Sequence, residues 1–74
     1  MSRAVSIRPT DVGQRVTVQF YDDDGGRVEA IGMLERADIE EQRVILSIRR
    51  RDDSLVRVPL DRVRHGKVVR PPRR

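Results

Sequence analysis

Asp22-Asp23-Asp24-Gly25-Gly26 carries the carboxylates of a calcium loop. Such a loop needs oxygen ligands at alternate positions and a glutamate at the twelfth. With Asp22 as the first position, Gly26 falls on the third ligand position and Met33 on the twelfth. The spacing builds no cage and reads as an acidic, solvated hairpin tip. His65 is the single imidazole. Catalysis through it requires a nucleophile and an orienting carboxylate within reach. Ser2, Ser6, Ser47 and Ser54 stand in no nucleophile-elbow context, and Gly25-Gly26 lacks the lysine and helix of a phosphate loop. These patterns predict no catalytic residue, no cofactor and no metal site, so the chain reads as a non-enzyme.

Two further clusters bear on binding. Arg49-Arg50-Arg51 is the densest charge run. Alternation along a strand is expected to send neighbouring side chains to opposite faces, which divides the run. Asp52 and Asp53 partly neutralise it. Phe20 and Tyr21 are the only aromatic residues. Adjacent strand residues face opposite ways, so Phe20 is expected in the core and Tyr21 outside. One exposed ring forms neither the aromatic groove that grips proline-rich peptides nor a base-stacking platform.

The net charge of +4 is unevenly distributed. Arg62, Arg64, Lys67, Arg70, Arg73 and Arg74 give residues 62–74 six basic side chains and no acidic one. Residues 1–61 hold 10 basic and 12 acidic side chains, a net of −2. Those six cations are the candidate phosphate contacts if the chain binds nucleic acid. Without cysteine there is no disulfide framework and no thiolate metal site. No apolar run approaches a membrane span and no signal-peptide core follows Met1, so a cytoplasmic protein without membrane attachment is expected.

The elements that must position these residues are strands. Val16, Val18 and Phe20 alternate with Thr17 and Gln19, the period of a half-buried strand. Pro9 to Gly13 reads as a turn before it, and Asp22 to Gly26 as the hairpin after it. A second strand is predicted from Arg27 to about Leu34, with a bend near Gly32. Arg36 to Glu41 reads as a charged loop. A third strand spans Gln42 to Arg50, a fourth Leu55 to Leu60, and a short last one Lys67 to Arg70. Between the last two, Pro59 to Val63 reads as a single 3₁₀ turn. The fold class is all-β: a small five-stranded, SH3-like (Sm-like) bent barrel over residues 1–70, with residues 71–74 a Pro/Arg tail or linker stub. The expected core is Val16, Val18, Phe20, Val28, Leu34, Val44, Leu46, Ile48, Val56, Val58, Leu60 and Val63. Ile31, Met33 and Ile45 lie on the opposite strand faces and would together form a protein-contact patch.

Asp11 to Val18, Gly32 to Glu35, Val56 to Val63 and the closing Lys67-Val68-Val69-Arg70-Pro71-Pro72 resemble one family: the SH3-like domain at the N-terminus of actinobacterial GCN5-related N-acetyltransferases. The resemblance covers residues 7–72 and rests on turn and packing motifs. It implies an accessory module beside an acetyltransferase domain. The coenzyme loop of that family falls outside these residues, so no catalytic or cofactor residue is carried over. A weaker resemblance, through Val58 to Val63, is to the Sm-like C-terminal domain of the bacterial ribosome maturation factor. Arg64-His65-Gly66-Lys67 is faintly similar to the second Sm motif, while the asparagine of the first is missing from Ala37 to Gln42. The leading expectation is a non-catalytic module that contacts a neighbouring acetyltransferase domain, another protein or a second copy. The alternative is a nucleic-acid-binding module.

Overall fold

Apolar side chains at every second position share one face of a sheet, and that face must be covered to be buried. The computed structural model describes residues 4–69. One sheet contains β1 (Ala4–Val5), β2 (Arg15–Tyr21), β3 (Arg27–Glu40), β4 (Arg43–Arg50), β5 (Leu55–Pro59) and β6 (Val63–Val68). Their order is β1-β6-β2-β3-β4-β5. The five longer strands are antiparallel, and β1 joins β6 in parallel. A 3₁₀ turn at Leu60–Arg62 precedes the last strand, as expected, and another at Pro9–Asp11 leads towards β2.

The inner face holds Val16, Val18, Phe20, Leu34, Leu46, Ile48, Val58 and Val63, all from the expected core. Val28, Val44, Val56 and Leu60 pack against it while partly exposed. Ile7 and Ala30 are buried there too, in addition to the expected core. Gly66 explains Ile7: a Cβ at Gly66 would come within 3.0 Å of the Ile7 Cδ1, so its bare backbone leaves the space that Ile7 fills.

Three readings are corrected. The segment from Arg36 to Glu40 is not a loop. It continues β3, with its acids and Arg36 on a wet face. The ladder slips at Glu35, not at Gly32, since Leu34 pairs with Ile48 and Arg36 already with Ser47. This bulge keeps Leu34 and Ala37 on the same inner side. Gly32 itself is in register with both Val16 and Arg50. It is glycine because β4 passes so close that a Cβ would stand 2.1 Å from the Arg49 carbonyl oxygen. The last strand begins at Val63, four residues earlier than its apolar run indicated.

The turns follow their residue types. Asp22 Oδ1 accepts the amides of Asp24 and Gly26 at 2.9 and 2.8 Å, and Gly25 takes a φ of 79°. That carboxylate organises a hairpin. Glu41 and Gln42 alone join β3 to β4, both with positive φ (50° and 65°), as a two-residue hairpin turn matching strand twist requires.

Candidate functional site: the outer face of the sheet

The residues that alternate away from the core make one continuous outer face. Thr17 of β2 lies between Lys67 of β6 and Ile31 of β3. One step along, Arg15 faces Met33, which in turn faces Arg49 of β4. Ile31 and Met33 are neighbours on this face, 46% and 44% exposed. Two of the three residues expected to stand exposed together do so. Ile45 is the correction: it is only 8% exposed. It pairs with Asp38 on one side and Pro59 on the other, in the middle of the sheet, where both faces of β4 are covered.

Ion pairs pin much of the remaining outer charge. Arg43 grips Asp61 through Nε and Nη2, both at 2.8 Å, which ties β4 to the 3₁₀ turn and holds the guanidinium pKa up. Arg57 pairs with Glu40, and Arg36 with Asp38. Of the proposed phosphate contacts, Arg62 is paired with Asp23 across the β2–β3 hairpin. Arg64 donates to the Tyr21 hydroxyl at 2.5 Å and lowers that hydroxyl's pKa, chiefly through this hydrogen bond. Lys67 is exposed beside Thr17. Arg70, Arg73 and Arg74 lie outside the described residues.

A depression of about 570 Å³ runs over Ser6, Thr17, Gln19, Glu29, His65 and Lys67. It brings the imidazole, a serine and a carboxylate to one side of the sheet. Glu29 accepts a long bond from the Gln19 amide at 3.5 Å. Among the described residues no hydrogen bond joins His65 to Ser6 or Glu29, so the three form no relay. No cluster of histidine and carboxylate groups among the described residues could hold a metal ion. No helix among them is long and apolar enough to cross a membrane.

A cationic rim was not anticipated. Arg49 stands in register with Met33 and Arg50 with Gly32, so these two alternate along β4. Arg49, Arg50 and Arg51 all line one groove of about 270 Å³ with Arg15, Gly32 and Met33. They meet at the end of β4, where Arg51 has left the strand for the turn. The residue that signals the convergence is Gly32, whose missing side chain lets the Arg49 backbone approach β3. Arg49 is bound to Glu35, while Arg15, Arg50 and Arg51 enter no ion pair among the described residues. A search of known families, of curated proteins and of solved structures found no match to this chain.

Proposed function

We propose that this chain is a non-catalytic contact module that binds a protein through the outer face of β3. The observation that supports this reading is the pair Ile31 and Met33. Two large apolar side chains stand side by side, nearly half exposed, on a sheet whose inner face already holds the core. Apolar surface kept in water at adjacent positions is stabilised when a partner covers it. The sequence resemblance directs the proposal towards an acetyltransferase domain as that partner, in the cytoplasm, with a second copy of the chain as another protein occupant. The nucleic-acid reading draws less support: Arg62 and Arg64 already have partners within the fold, which leaves Lys67 of the three described cations.

A photo-cross-linking residue in place of the exposed Glu29 tests this reading in cells. The expected result is a discrete protein adduct that disappears in the Met33→Glu variant. An adduct pattern unchanged by Met33→Glu, or recovery of nucleic acid in place of protein, overturns it.

A further inference from the structure

We infer that the partner segment seated on this face is an acidic peptide carrying an aliphatic side chain among its carboxylates. This rests on the protein-contact reading and names the chemistry of the contact.

Two adjoining depressions meet here. One, about 270 Å³, contains Met33 with Arg15, Arg50 and Arg51, and the other, about 400 Å³, contains Ile31 with Arg50 and Arg51 again. An apolar floor of Ile31 and Met33 is thus bordered by Arg15, Arg50 and Arg51, which enter no ion pair among the described residues, although Arg50, after the Ser54 hydrogen bonds, helps to hold the Asp52 carboxyl below its ordinary range. Guanidinium groups recognise carboxylates through paired N–H donors. Glu29 and Asp52 border the second depression. Asp52 is turned to its own loop, accepting from the Ser54 amide at 3.0 Å and the Ser54 hydroxyl at 2.6 Å. On this rim Arg15, Arg50 and Arg51 outnumber Glu29 and Asp52, and an incoming chain gains by placing its carboxylates beside the arginines. The apolar floor selects a peptide over a nucleic acid. No aromatic ring lies in either depression to stack a base, and Tyr21 is engaged by Arg64.

The probe is a short synthetic peptide of aspartates and glutamates with one central leucine, titrated into the isotope-labelled full chain and read by amide NMR shifts. Three controls accompany it: the same peptide with serine for leucine, a peptide of lysines and arginines, and a single-stranded oligouridine. The acidic leucine peptide is expected to move the amides of Arg15, Ile31, Met33, Arg50 and Arg51. The serine peptide should bind more weakly and the basic peptide not at all. Arg50→Glu with Arg51→Glu should weaken the titration about tenfold, and added salt should weaken it too. Arg15→Glu, on a different strand, repeats the test if the turn variant does not fold. No movement of these amides at millimolar peptide, or equal movement with the basic peptide, overturns the inference. Oligouridine binding this rim more tightly than the peptide also overturns it. Loss of the peptide result alone, with the cross-link still sensitive to Met33→Glu, rejects the acidic ligand and leaves protein contact standing. Loss of that sensitivity rejects both.

Discussion

The guanidinium of Arg49 holds the carboxylate of Glu35 through two hydrogen bonds, Nε to Oε2 at 3.1 Å and Nη2 to Oε1 at 3.2 Å. Its Nη1 donates to the Asp53 carbonyl at 2.8 Å. One side chain thereby joins the bulge of β3 to the turn after β4. Glu35 also holds the Arg49 pKa above its ordinary value. Arg49→Ala should leave the chain folded and speed amide exchange at Glu35, Arg36 and Asp53. Hydrogen-exchange NMR reads this residue by residue. Unchanged protection at the bulge would show that the backbone ladder fixes it without the ion pair.

Gly32→Ala should be among the most damaging small substitutions. Its Cβ would meet Arg49 backbone atoms, the carbonyl oxygen at 2.1 Å and the carbon at 2.8 Å. Backbone cannot swing aside as a side-chain end can, so β3 and β4 must separate. The expected loss is at least about 2 kcal/mol in urea unfolding. A chain of this size has only a small stability margin. A cost within about 0.5 kcal/mol would contradict the close approach.

The turn from β3 to β4 stores strain that a substitution can release. Glu41 and Gln42 both occupy the left-handed region, where an ordinary side chain costs about 1–2 kcal/mol. Glu41→Asn with Gln42→Gly supplies residues suited to it and should raise stability by about 1 kcal/mol or more. Thermal and urea unfolding check the gain. A fall in stability would mean that the turn is held in another conformation.

Tyr21 provides a pH test free of interference, because no other tyrosine and no tryptophan is present. The hydrogen bond from Arg64 favours the phenolate, so the hydroxyl should titrate below its ordinary 10.0. A folded pKa below the unfolded one means ionisation favours the fold. The extra stability is present above pH 10 and is lost as pH falls through the folded value. Ultraviolet titration of the phenolate follows this directly, and Arg64→Gln should move the midpoint upward. An identical midpoint in both proteins would show that the contact does not persist in solution.

How far the sequence reveals the fold depends on whether one residue's pattern is enough. Val16, Val18 and Phe20 state their own strand, and Pro59 with the residues after it states the 3₁₀ turn. The second half of β3 is hidden because its charges look like those of a loop: Arg36 and Asp38 pair with each other along one face, and Glu40 with Arg57 on β5, seventeen residues away. Ile45 reads as exposed by alternation, but β4 is covered on both faces at its centre, which the pattern of one strand does not reveal. Gly32 reads as a bend because a missing side chain looks alike whether the chain turns or a neighbour presses close. The Ile31 and Met33 half of the site was legible from strand phase alone. The arginine rim was not, since Arg15 and residues 49–51 come together only through the pairing of β2 with β3 and of β3 with β4.

The central claim is that Met33 serves contact with another protein and not the fold. The most direct measurement compares the in-cell cross-link from position 29 in Met33→Glu and in Ile39→Glu. Ile39 is 78% exposed near the far end of β3, so its substitution carries the same new charge away from the site. Both variants should melt within a few degrees of the parent chain. The adduct should vanish in Met33→Glu and persist in Ile39→Glu. Equal adduct yields from the two, with both folded, would contradict the account.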